Sequence, residues 1–342
     1  MVETGYSYLS DNEKLIYRSF KKSFQEFSDT VDVGRNRIDK CMLLNVIHAV
    51  LGDNPQIVYF DKTKYSLSGS LIGGQKIALR RFGNAEKCKA MSEDVETAAN
   101  MAVEEIELLN PISDYERLIY LYEYLQDNVL CDIEESKNLR MRRNSRNPMS
   151  HNAYGALINK KAVCDGVAAA FALIAQKMGY ECIVVSGKAT LETTEFSDHS
   201  WNIIRIGENY YHIDALWDIN KKNQTGHYSY EYFGLNDVAV SIEHQWDITR
   251  SPVCGRTDLS FYLHNRCIAN SLSQIDEIFE RFARSRQGIV RLKVADGIAI
   301  PDSEEKYLGN RLLDVVSATG KYRSINFTWN KALRCFFGIM NQ

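Results

Sequence analysis

The stretch from Val163 to Met178 constrains this chain more than any other. It is almost wholly apolar, rich in small residues along one side, and followed by Gly179, the residue type that ends helices in the left-handed conformation. A helix apolar on every side has to be buried by its own protein or by lipid. The unbroken apolar run Val167–Ala175 is only about half of the roughly 20 residues a membrane span needs. The helix is therefore predicted to lie inside a soluble core, with other elements wrapped around it.

The elements that follow suit that role. Three strand patterns are expected: Glu181 to Gly187, Ser200 to Ile206, and Asn209 to Leu216. The link Ile206-Gly207-Glu208-Asn209 predicts a two-residue hairpin with Gly207 first, as a type II′ turn requires. Pairing 206 with 209 sets Asp214 opposite Trp201, and His199 lies two positions before Trp201 on the same face. Residues so related are about 7–8 Å apart at Cα, close enough for a side-chain hydrogen bond. A three-residue loop would put His199 and Asp214 on opposite faces.

Cys164 opens the buried helix, where unpaired backbone N–H groups and the positive end of the helix dipole face the thiol. Its own N–H can point at a developing oxyanion. Asp165 adds a negative charge next door, so a cation has to lie close, and a charged His199 would supply it. The roles of nucleophilic acyl transfer are then filled. Cys164 attacks a carbonyl, His199 relays the proton, and Asp214 fixes the imidazole tautomer. His212 is a rival base on the strand of Asp214 and is read as structural, as are His244 and Trp246. Cys182 is read as packing, and Trp201 and Trp217 as core or cleft wall.

Three stretches resemble the transglutaminase-like superfamily, in particular its bacterial hydrolase and protease branch. They are Ser150-His151-Asn152-Ala153-Tyr154-Gly155 with Lys161-Ala162-Val163-Cys164-Asp165-Gly166, then Asp198-His199-Ser200-Trp201-Asn202, and Tyr211-His212-Ile213-Asp214-Ala215-Leu216-Trp217-Asp218. The resemblance covers roughly residues 114 to 247 and implies a papain-like core, a Cys-bearing helix packed on an antiparallel sheet that carries His and Asp. It implies Cys164, His199 and Asp214 as the catalytic triad. It also suggests oxyanion or substrate contacts at Tyr154, Asn152 and Trp201. Ser200 stands where relatives more often have Ala, a small-for-small difference. Glycanase relatives carry paired Cys-x-x-Cys zinc motifs, and this chain has none.

The rest of the chain sets the frame. Its 342 residues exceed one ordinary core. The expected fold class is α+β, with a transglutaminase-like core over 106–254 flanked by smaller α+β units over 1–105 and 255–342. In the first unit, helices are expected over Glu13–Phe27 and Arg37–Leu51, then strands Ile57–Phe60, Tyr65–Leu71 and Lys76–Phe82. Helices capped by Ser92 and beginning at Asp114 follow, then a surface loop over 131–150. The tail is expected to alternate strand and helix, starting with a strand at Phe261–Leu263.

A net charge of −3 gives no pull toward nucleic acid or anionic membrane. The amino terminus lacks a basic-then-apolar leader, so a cytoplasmic protein with reduced thiols is expected. None of the eight cysteines forms a Cys-x-x-Cys pair; no metal and no cofactor are expected. Lys137, Arg140, Arg142, Arg143 and Arg146 put five cations in ten residues just before the Cys motif. Most such runs are solvated surface, and the sharper reading is a cleft rim that favours acidic peptides. Hydrolysis of an amide or peptide bond in a protein or peptide substrate is the expected activity. Amine transfer onto a glutamine acyl group and a catalytically idle binding module are the alternatives.

Overall fold

The structure, a computed structural model, describes residues 3–35, 38–70, 74–141, 143–190, 195–285, 287–301 and 303–342. It is α+β, with three main antiparallel or mixed sheets.

The helix Cys164–Lys177, here the nucleophile helix, lies at the centre, with nine of its residues buried from Gly166 to Ala175. Gly179 ends it with φ +91. Across it lies a five-stranded sheet in the order His244–Gln245, Cys182–Ala189, Ser197–Ile206, Asn209–Ile213, Phe233–Leu235, every pair antiparallel. The hairpin pairs Ile206 with Asn209 and Asn202 with Ile213, the register expected from its sequence. Gly207 has φ +57, and Glu208 is not among the positive-φ residues, which is the II′ pattern. The last expected strand stops early. It ends at Ile213, and Asp214 caps a helix, Ala215–Thr225, because its carboxylate accepts from the Leu216 N–H.

The N-terminal stretch packs helix Asp11–Gln25, with its Ser10/Glu13 capping box, against helix Lys40–Asp53. A three-stranded sheet has Gly74–Arg81 between Thr30–Gly34 and Phe60–Ser70. The expected helix start at Arg37 and the expected strand end at Leu71 lie outside the described residues. Helix Ala85–Leu108 begins about two turns before the expected Ser92 cap. Asn84 caps it instead, and the Ser92 hydroxyl donates to Gln56 O at 2.9 Å. The expected loop 131–150 holds a helix, Ile133–Arg140, capped by Asp132. Its polarity misleads because this is a short surface helix with buried Glu135 and Asn138 as anchors.

One buried apolar cluster runs from Leu9 to Leu259, straight across the expected boundary near residue 105. A second cluster, Ala269 to Met340, belongs to the C-terminal stretch. There, helices Leu272–Arg284 and Glu304–Thr319 cover a four-stranded sheet. The segment expected as a strand at Phe261–Leu263 is a short helix, Phe261–His264. No helix among the described residues is long and apolar enough to cross a membrane.

Candidate active site

Cys164 is the first residue of the nucleophile helix. Its position is set from beneath. The short parallel pairing of Leu130–Cys131 with Lys161–Ala162 leads into it, and Val163 N–H donates to Ser150 O at 3.1 Å. Gly166 lets the loop approach, since a Cβ there would fall 2.2 Å from Ser150 O. Val163 offers no side-chain cap, and Asp165 accepts from the Gly166 N–H at 3.0 Å. The Cys164 N–H has no partner among the described residues, so the first turn presents a free donor beside the sulfur.

His199 is the third residue of its strand, opposite Gly187. Its Nε2 lies 2.6 Å from Asp214 Oδ2, and both side chains are buried. Nδ1 is left for the Cys164 thiol, whose nearness also favours the charged ring. Burial alone would favour the neutral imidazole. The Asp214 carboxylate, with the thiol's help, outweighs burial and raises the His199 pKa to about 10. Burial likewise works against the Asp214 charge, but His199 and then His244 hold its carboxyl well below the usual carboxylate range. The pair is therefore an imidazolium on a carboxylate.

Asp214 is gripped on all sides. Its Oδ1 accepts from Leu216 N–H at 3.2 Å, its N–H donates to Tyr232 O at 3.0 Å, and its carbonyl accepts from the Tyr122 hydroxyl at 3.0 Å. A second imidazole, His244 Nε2, meets Oδ2 at 3.0 Å. Gly187 makes room for that strand: a Cβ there would sit 2.2 Å from Gln245 O. Burial holds the His244 pKa down despite Asp214, so His244 is a neutral ring donating a fixed N–H. Trp217 stacks on His199 at 5.0 Å between ring centroids and meets His244 at a 45° tilt, 4.6 Å away.

The other expected contacts land differently. Trp201 is 1% exposed; it backs His199 at 6.0 Å and its indole donates to His212 Nδ1 at 2.9 Å, so it faces the core and not a substrate. Asn152 caps the short helix Ala153–Leu157, accepting from Tyr154 N–H and donating to Val58 O. Both ends of its amide are engaged there, which shapes the loop. The Tyr154 hydroxyl has no hydrogen-bond partner among the described residues. Of the basic run, Lys137, Arg140, Arg143 and Arg146 are exposed, and Arg142 lies outside the described residues.

Sequence reasoning missed three features. His244 reads as structural from its neighbours, and only the sheet order brings it to Asp214. Glu135 and His151 form a buried pair, His151 Nε2 to Glu135 Oε1 at 3.2 Å and Nδ1 to Asp165 Oδ2 at 2.9 Å. Lys62, from the N-terminal sheet, reaches the same Asp165 oxygen at 2.8 Å. His151 stands inside the Cys motif, so its signal was present; nothing in the sequence links Lys62 to residue 165.

Two side-chain groups have their donor atoms within 4.8 Å of one another, as a metal site would: His199, Asp214 and His244, and His212, Asp237 and Cys254. Their hydrogen bonds speak against an ion. In the first, both Nε2 atoms carry protons to Asp214. In the second, Trp201 takes the Nδ1 lone pair of His212, so Nε2 keeps its proton, given to Asp237 at 2.8 Å.

Comparison with known proteins agrees with this geometry. Residues 106–215 match the transglutaminase-like superfamily, a stretch that includes Cys164, His199 and Asp214. A solved structure titled "Crystal structure of a TGase" is 15% identical, with a TM-score of 0.36, covering 45% of this chain and 44% of that one. The overlap thus spans less than half the length of that protein. No curated protein matches. Similarity to the superfamily over that stretch supports a cysteine-based acyl-transfer enzyme. Over residues 106–215 the chain is similar to the transglutaminase-like superfamily.

Proposed function

We propose that the chain hydrolyses an amide or peptide bond through a thioester at Cys164. The observation that carries this is the His199–Asp214 pair, 2.6 Å apart and buried, with the free ring nitrogen turned to a thiol at a helix N-terminus. Cys164 Sγ attacks the carbonyl carbon while the oxyanion turns to the Cys164 N–H, with the Tyr154 hydroxyl as a second donor. As the tetrahedral intermediate collapses, the carbon–nitrogen bond breaks and His199 Nδ1–H protonates the leaving amine. Water then adds to the thioester, giving its proton to His199, and the thiolate leaves with the carboxylic acid as product. Asp214 keeps the ring oriented and its charge compensated throughout.

Water needs no second binding site, which favours hydrolysis over amine transfer. Incubation with glutamine-containing peptides and a labelled amine tests the choice. Cleavage or ammonia release without label supports hydrolysis; stoichiometric amine incorporation overturns it in favour of transfer. No turnover with a fully reactive Cys164 would point to the binding-module reading.

A further inference from the structure

Asp165 places a carboxylate next to the proposed nucleophile, and the chain neutralises it from a distant segment. Lys62 lies on the strand Phe60–Ser70 of the N-terminal sheet, and its ammonium contacts Asp165 Oδ2 at 2.8 Å. His151 Nδ1 meets both oxygens of the same carboxylate, Oδ1 at 3.1 Å and Oδ2 at 2.9 Å, backed by the buried Glu135. His48, from the helix Lys40–Asp53, and Asp198, from the strand of His199, complete the charged and titratable groups nearby. Lys62, His48, His151 and Asp165 line one small pocket of about 40 Å³ between the N-terminal segment and the helix Cys164–Lys177. Burial and the Lys62 charge hold the His48 pKa down at about 4, so His48 brings no compensating charge. Asp165 raises the His151 pKa against burial, but that imidazole is shared with the Glu135 carboxylate, so the ammonium of Lys62 supplies the remaining positive charge at the start of the helix.

We propose that Lys62 is a positioning residue for Cys164: it cancels the Asp165 charge, so that the N-terminal segment completes an active site carried by the middle of the chain. This rests on Cys164 being the nucleophile. It gives the first hundred residues an electrostatic part in the chemistry, through a residue far from every motif. Two lone features would not carry it. The ion pair, the pocket the two residues share, and the placement of Asp165 beside Cys164 together do.

The test compares alkylation of Cys164 by neutral iodoacetamide and anionic iodoacetate in the full-length protein, read by mass spectrometry. The ratio of the two rates reports the charge near the sulfur. Lys62→Met should slow iodoacetate relative to iodoacetamide by roughly fivefold to tenfold, as expected for removing one unit charge from a partly screened site. Lys62→Arg should keep the wild-type ratio. Asp165→Asn should shift the ratio the opposite way, and the double variant Lys62→Met/Asp165→Asn should return it toward wild type. Lys64→Met, an exposed lysine two residues along, should leave it unchanged. A loss of rate with an unchanged ratio in both Lys62→Met and Asp165→Asn would make the contact merely structural and overturn the proposal. Failure of wild-type Cys164 to react faster than the other cysteines would instead bring down the reading of Cys164 as the nucleophile, and this proposal with it.

Discussion

At the scale of single residues, the site depends on where protons sit around Asp214. His244 gives that carboxylate a fixed N–H, and the hydrogen bond helps hold Asp214 ionised. Removing the donor in His244→Leu should let Asp214 take up a proton at higher pH, so the acid limb of Cys164 alkylation should move upward. His244→Gln, which keeps an N–H in nearly the same place, should restore it; equal limbs in both variants would reduce His244 to packing. The stability cost of His244→Leu should be about 1.5–3 kcal/mol, that of a hydrogen bond to a charged group, measured by urea unfolding.

His199 adds a second pH signature. Its folded pKa is raised above the ordinary 6.5 to about 10, so its contribution to stability is complete below pH 6.5 and drains away as the pH rises toward 10. The wild-type Tm should fall across that window by more than that of His199→Gln; parallel curves would contradict the ion pair. Cys164, His199 and Asp214 were legible in the sequence because a helix start and a two-residue hairpin place them by local rules. His244 and Lys62 were not, since their contacts depend on sheet order and on packing between distant segments.

At the scale of elements, two glycines are as consequential as any polar group. Gly166 admits the Ser150 carbonyl against the nucleophile helix, and Gly187 admits the strand that carries His244. Gly166→Ala places a Cβ 2.2 Å from Ser150 O, so loop or helix has to shift. The expected cost is about 1–3 kcal/mol of stability, as for other overpacked sites, with slower alkylation of Cys164; a variant of wild-type stability and reactivity would show that the loop yields freely. Most strands and helices were readable from periodicity to within a few residues; of the expected strand Ile57–Phe60 only Phe60 is in a strand, and Thr30–Gly34 was not foreseen. The two misreadings nearest the site share a cause. Asp214 ends a strand by capping a helix, and Asp132 starts a helix in a polar stretch; in each, one carboxylate accepting a backbone N–H overrode the apparent pattern.

At the scale of the molecule, apolar burial ties the first hundred residues to the catalytic core. Leu9, Ile16, Phe20 and Val46 belong to the same buried cluster as Phe171 and Ile213. A chain cut to residues 106–254 would expose that apolar surface, and it is predicted to lack a cooperative thermal transition; sharp two-state melting of the fragment would show an independent core. The C-terminal unit has its own cluster and touches the core through Arg291, which donates to Tyr228 O at 2.7 Å, and Asn330, which donates to Tyr232 OH at 2.9 Å. Composition and motif order announced α+β and the place of the stretch that matches the superfamily. They did not announce that its core is shared, because core continuity is a property of packing that no local pattern records.

The central claim is that one sulfur among eight is activated by a buried imidazole on a carboxylate. Timed labelling with iodoacetamide, mapped by mass spectrometry, tests it most directly. The account predicts one fast site at Cys164, outpacing even the exposed Cys41, lost in Cys164→Ala and strongly slowed in His199→Ala. Labelling of Cys164 no faster than Cys41, or unchanged by His199→Ala, would contradict it.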